Sequence, residues 1–311
     1  MTALSAARVM RLVLLILLGW SGATLAATVS VEVEVGERVH DWCKRLEARN
    51  ILTCASVLYL GAIERYPGLS LVADPPSTSP PTQDSHQSKN PFEGHRFEGL
   101  LPPGHFEIAN LDLASAAPEQ PAGLEGRREL ANARVVVKFL LERGAERLRG
   151  VPPGHGLSQR EQIILASIIE KEAEANTDYK KIAAVFYNRI DKGDKLGSCP
   201  TVEYALGYHR PFLLYKDLDA VSQSPYNLYE KAGLPPTPIC FFSDAALDAV
   251  KDPLEDDSIY FFVFDWTTGK LNFESSADYD KHRENAARAK ENFRAKYGDI
   301  RKLSRDKFYE Q

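Results

Sequence analysis

The chain has 311 residues, 44% hydrophobic and 26% charged, with a formal net charge of −5. That length allows two domains with a sizeable core, and the mild acidity excludes the basic surface that a nucleic-acid partner requires. No zinc-finger spacing, Gly-rich phosphate loop, G-x-S-x-G elbow or H-E-x-x-H pattern occurs, so neither metal nor cofactor is expected.

Residues 1–27 read as a targeting segment. Arg8 and Arg11 precede the apolar run Leu12–Trp20, and small residues follow through Ala27. Leu12–Leu18 alone is too short to span a bilayer, which takes about 20 apolar residues. Extended to Ala27 the segment just spans. Ala23-Thr-Leu-Ala-Ala27 also has the form of a signal-peptidase site. Anchor or cleaved signal, the positive flank stays in the cytoplasm and the body is exported. Export places the four cysteines where disulfides persist. Cys43 and Cys54 lie close in sequence, while Cys199 and Cys240 lie far along the chain. Three connectivities are open, and four free buried thiols are an equal alternative.

Val29, Val31, Val33 and Val35 alternate with Ser30, Glu32 and Glu34, the pattern of a half-buried strand ended by Gly36. Val39–Glu47 and Thr53–Glu64 read as two short helices, completing a βαα unit over 28–72. Asp74–Asn90 has no apolar period and is rich in Pro, Ser and Gln, a flexible linker within 73–96. A connecting segment, 97–150, carries Phe97-Glu-Gly-Leu-Leu-Pro-Pro-Gly-His-Phe106, an Ala/Pro/Gly-rich stretch and a helix over Arg128–Leu148.

The most informative stretch is Ile163–Glu174. Ser158 and Glu161 form an S-x-x-E capping box ahead of it. Ile163, Ile164, Leu165, Ala166, Ile168 and Ile169 are apolar nearly all round, as in a helix buried on most sides. Glu170, Lys171, Glu172 and Glu174 follow directly. Glu170 shares a face with Ile163, Ala166 and Ser167, and Glu172 lies about 200° further round. A further helix is expected over Asp178–Ile190, with Ile182, Val185, Phe186 and Ile190 as its buried stripe. Then come Pro200-Thr-Val-Glu-Tyr204, Ser224-Pro-Tyr-Asn-Leu-Tyr229 and Ala232-Gly-Leu-Pro-Pro-Thr-Pro-Ile239. Tyr226, Asn227 and Tyr229 offer rings and an amide suited to sugar, or core aromatics with satisfied hydroxyls. A short helix over Ser243–Val250, a β-hairpin from Ser258–Phe264 and Leu271–Phe273, and a polar helical tail from Ala277 complete the chain.

This series of motifs, over about Phe97 to Asn285, resembles the endolytic murein transglycosylase family. The resemblance implies an α+β protein: a small LysM-like βαα unit, then a mixed helical catalytic domain over 151–300 with a β-hairpin, and a tail at 301–311. It implies cleavage of the MurNAc–GlcNAc bond within peptidoglycan strands, leaving 1,6-anhydro-MurNAc ends, with Glu170 as the catalytic group. Such a lyase needs one carboxyl for two jobs. It protonates the glycosidic oxygen, then takes the proton of the muramic acid C6 hydroxyl as that oxygen attacks C1. The substrate's hydroxyl replaces the water and second carboxylate of a hydrolase. Burial beside Ile163, Ala166 and Ile169 is expected to keep such a carboxyl protonated.

Substrate-binding candidates on this resemblance are Glu172, Asn188, Ser198, Thr201, Tyr226, Asn227 and Tyr229. Glu98, Gly99 and Pro103 match the family's Glu-Gly…Pro-Asp-Thr-Tyr pattern, while Gly104, His105 and Phe106 depart from it. His105 is therefore expected to be structural. Gly197 and Cys199 stand where the family usually has Gln and Asp. Two other readings stay open: a lysozyme-like hydrolase using Glu172 or Glu203, and a catalytically weak peptidoglycan-binding scaffold. The family keeps its N-terminal segment as a single inner-membrane anchor with the body outside. Its partners are glycan strands, the membrane and peptidoglycan synthases. Because it places the Cys199 loop and the Pro-rich loop by the active site, a Cys199–Cys240 disulfide is expected.

Overall fold

The computed structural model describes residues 27–63, 93–111, 124–173, 178–210, 213–265, 270–275 and 278–299. The targeting segment, the Asp74–Asn90 linker, Glu174 and the 301–311 tail lie outside them. The described chain is α+β, with two separate two-stranded antiparallel sheets among helices.

β1 (Ala27–Val33) buries Val29, Val31 and Val33 on one face, as the alternation requires. Its partner is β2 (Gly104–Leu111), in register Val31↔Phe106 and Val33↔Gly104. Between them run α1 (Val39–Ala48) and α2 (Cys54–Ile63). The N-terminal unit is therefore βααβ, closed by a strand from beyond the linker. The segment 97–150 thus supplies the second strand of that sheet. Gly104, His105 and Phe106 are strand residues, and exposed His105 pairs with Glu32, its cross-strand neighbour, at 3.2 Å. α3 (Leu124–Leu148) packs on α2 and β2 and extends the same core.

A disulfide joins Cys43 to Cys54, whose Cα atoms are 5.2 Å apart where α1 and α2 meet. Cys199 and Cys240 are free thiols, so the expected bridge between them is absent. They face different elements. Cys240 donates from Sγ to the Ser167 carbonyl at 3.3 Å, and Cys199 Sγ meets the Tyr229 hydroxyl at 3.0 Å.

The second half is built on α4 (Gln159–Glu172). Its capping box is complete: Ser158 N–H donates to Glu161 Oε2 (2.8 Å) and Ser158 Oγ accepts from Glu161 N–H (3.3 Å). Every residue from Gln162 to Glu170 is buried. α5 (Tyr179–Lys192) starts at an Asp178 cap and ends at Gly193. α6 (Cys199–Leu206) and α7 (Tyr215–Ala220) are short helices that the sequence pattern did not reveal. α8 (Asp244–Lys251) packs on both α4 and α5. β3 (Ser258–Asp265) and β4 (Lys270–Ser275) form the expected hairpin, lying against α5 and α9 (Tyr279–Tyr297). α9 buries Asn285, Ala289 and Phe293 on one face and is otherwise mostly exposed. Among the described residues no helix is long and apolar enough to cross a membrane.

The two halves are tied by polar contacts at the core. Glu98, 1% exposed, accepts from the Val39 amide at the start of α1 (3.0 Å) and from the Tyr204 hydroxyl on α6 (3.2 Å). Gly99 follows at φ +70°, and a Cβ there would lie 2.4 Å from Pro238 Cβ. Only glycine serves both the left-handed backbone and that approach.

Candidate active site

The last turn of α4 carries two carboxylates that point apart, as the helical wheel demands. Glu170 is 7% exposed and bonded by three donors. Ser243 N–H and Ser243 Oγ–H reach its Oε2 at 2.7 and 2.5 Å, and the Tyr179 hydroxyl donates to Oε1 at 3.0 Å. Ser243 is also the N-cap of α8, accepting from Ala246 N–H at 3.2 Å. Glu170 thus sits at the N-terminal end of α8, where backbone dipoles converge. On the neighbouring turn Ser167 Oγ donates to the Ile164 carbonyl (2.7 Å) and accepts from Ile239 N–H (3.0 Å). That pair pins the Pro-rich loop against the Glu170 face.

Glu172 faces α6 instead. Its Oε1 accepts from Ser198 Oγ–H at 2.6 Å, and Ser198 is the N-cap residue of α6. Burial pushes this carboxyl up to about 7, with Ser198 and the Arg189 charge opposing and Glu203 adding to the rise. Next to it the Cys199 thiol is pushed up to about 12, chiefly by burial and then by Glu172. A thiol so held is a small packing group rather than a nucleophile.

The other candidates are mostly committed to the scaffold. Asn188 Nδ2 donates to the carbonyls of Asp256 (2.7 Å) and Ser258 (2.9 Å), fixing the entry to β3. Thr201 Oγ1 donates to the Ser198 carbonyl (2.8 Å). Tyr226 is buried against Tyr204, its hydroxyl 2.6 Å from Thr237 Oγ1. Asn227 is buried, with Nδ2 donating to Leu218 O (3.2 Å) and Oδ1 accepting from Tyr229 N–H (3.2 Å). Tyr229 is part-buried beside Cys199. Glu203 accepts from Arg210 N–H (2.8 Å) and pairs with His209 Nδ1 (2.9 Å), closing the turn after α6. Gly197 takes φ +58° and donates its N–H to the Leu228 carbonyl (3.0 Å), a left-handed turn that favours glycine.

Sequence reasoning missed Tyr179 and Ser243. Ser243 was legible as a helix start, but its contact with Glu170 crosses 73 residues. Among the described residues no cluster of side chains is arranged to hold a metal.

The chain is 43% identical over 175 residues to the endolytic murein transglycosylase of Bacillus subtilis strain 168, covering 56% of this chain and 42% of that protein. It is 29% identical over 193 residues to the protein of that name from Streptococcus pneumoniae strain R6, covering 60% and 32% respectively. The chain thus spans less than half the length of these relatives. The 2.6 Å crystal structure of a YceG-like protein from Listeria monocytogenes superposes with a TM-score of 0.59 at 27% identity, over 82% of this chain and 75% of that one. A family model matches residues 15–288, nearly the whole chain, and by that match the protein belongs to the YceG-like family.

Proposed function

We propose that this protein is an endolytic peptidoglycan lytic transglycosylase with Glu170 as both acid and base. The observation that carries the reading is the Glu170 carboxyl itself. It lies in the last turn of a capped helix buried from Gln162 to Glu170 and is gripped by Ser243 and Tyr179, in a stretch similar to proteins named for this activity. As acid, Glu170 gives its proton to the glycosidic oxygen while the C1–O bond breaks. As base, it takes the C6 hydroxyl proton while O6 bonds to C1 and closes the anhydro ring. One fixed carboxyl serves both steps because the substrate brings its own nucleophile. A hydrolytic reading would need a second carboxyl beside the first. Glu172 turns to the opposite face of α4, and both Glu203 oxygens have partners in the α6 turn.

Mass spectrometry of digested murein tests the reading. Anhydro ends are expected. Reducing ends would mean a muramidase, and no product a binding scaffold. Glu170→Gln keeps the shape and removes the titrating proton, and is expected to abolish release. Wild-type rates in that variant would refute the assignment.

The βααβ unit retains the LysM-like reading, as a second place for glycan to bind. Arg8, Arg11 and the apolar run support a single anchor in the cytoplasmic membrane, with the body outside. The Cys43–Cys54 bridge suits that oxidising side. N-terminal sequencing of the mature protein distinguishes an anchor from a signal cleaved near Ala27. Glycan strands and the peptidoglycan synthases that make them are the proposed partners.

A further inference from the structure

We propose that Ser243 and Tyr179 are the positioning residues of the Glu170 carboxyl, and that the N-terminal βααβ unit holds Ser243 in place. The proposal rests on Glu170 being the acid and base.

Segment 239–243 lies between α4 and the turn that joins β1 to α1. Toward α4, Ile239 N–H donates to Ser167 Oγ and Cys240 Sγ to the Ser167 carbonyl, and Ser243 grips Glu170 Oε2. Toward the N-terminal unit the backbone of Phe241 makes a reciprocal pair. Gly36 N–H donates to Phe241 O (2.7 Å), and Phe241 N–H donates to Glu37 O (2.8 Å). The Trp42 ring meets the Phe241 ring edge-on at 6.5 Å. A third element closes the clamp. Arg147 on α3 donates to Phe242 O (2.9 Å), covers the Phe242 ring at 4.9 Å and pairs with Asp244 (2.8 Å). Segment 239–243 is thus a strap bonded on both edges, and the residue at its end holds the reacting carboxyl.

The donors are distributed unequally. Ser243 supplies a backbone and a hydroxyl donor to Oε2, which anchors that oxygen. Oε1 meets the hydroxyl of part-buried Tyr179, a group that can donate to an ionised carboxyl or accept from a protonated one. Oε1 is therefore the oxygen that releases the proton to the glycosidic oxygen and recovers it from the C6 hydroxyl. Two successive transfers by one carboxyl need that oxygen held in place throughout, and the strap supplies the restraint.

Steady-state kinetics on purified glycan strands test this. Ser243→Ala and Tyr179→Phe are expected to lower kcat by about tenfold or more with KM within about twofold, and Ser243→Thr to restore most of the loss. Phe241→Leu, which keeps the strap apolar but removes the ring from Trp42, is expected to lower kcat by a few-fold without raising KM. If Ser243→Ala and Tyr179→Phe both keep wild-type kcat, the proposal is overturned while the transglycosylase reading stands. If the wild-type protein forms no anhydro product, that reading falls, and the 13C carboxyl resonance of Glu170 decides the positioning. It is identified as the signal missing from Glu170→Gln. A displaced signal in Ser243→Ala and in Phe241→Leu supports the strap, and an unmoved one overturns it.

Discussion

Two glutamates two residues apart on one helix end up in different chemistry because the helix turns them to different neighbours. Glu170 docks at the start of α8 and Glu172 at the start of α6, each on the serine that precedes the helix. The Glu172 environment has a consequence for stability. Its folded value, about 7, lies above the usual 4.5, with burial as the leading cause. Above pH 4.5 the unfolded chain has lost this proton while the folded chain still binds it. Stability from this group therefore falls as pH rises from about 4.5 to about 7 and is level beyond. Glu172→Gln is expected to flatten that part of the curve, seen as a smaller difference between urea unfolding at pH 5 and pH 8. An unchanged slope would mean that other groups set it.

At the scale of elements, α4 depends on its first turn to present its last one. Ser158→Ala removes the acceptor for Glu161 N–H, and a loss of about 1 kcal/mol is expected in denaturant unfolding. The strap survives that change, so kcat should be nearly unaffected. The Cys43–Cys54 bridge closes a loop of sequence separation 11. In the chain-entropy estimate such a loop is worth about 3 kcal/mol, and the double substitution to alanine should lower stability by that order. Reduction of wild-type protein should match it, whereas alkylation of Cys199 and Cys240 should require unfolding. Cys240 is buried and Cys199 half-buried against the Tyr229 hydroxyl, and burial pushes both thiols far above their ordinary range.

Across the whole molecule, Glu98 joins the N-terminal unit to the C-terminal half through one buried carboxyl. Burial pushes it up to about 8, against the bonds from the Val39 amide and the Tyr204 hydroxyl. Glu98→Ala leaves both donors buried without that acceptor, and a loss of about 2–4 kcal/mol is expected. Hydrogen exchange should then show faster opening at the Val39 amide. Protection unchanged from wild type would mean that the Phe241 backbone pair and apolar contact hold the halves together without it.

Much of this protein was legible as sequence. Alternating valines specify β1, the capping box and the isoleucine run specify α4, and together they place Glu170 at the end of a buried helix. These are local patterns, set by side-chain period and by the four unpaired amides of a first turn. The two short helices α6 and α7 escaped because six to eight residues show little period and neither has the side-chain cap that marks α8 at Ser243. β2 escaped because Gly104–Leu111 acquires its strand identity from pairing with β1, across the linker. The cysteines show the same limit most plainly. Four residues of one type allow three pairings, and only the meeting of α1 with α2 selects Cys43–Cys54. Likewise nothing near Glu170 in sequence names Ser243. Their contact exists because the strap is fixed to the β1–α1 turn by backbone hydrogen bonds, which leave no mark on the sequence, and to α4 through Ser167, 72 residues before Ile239.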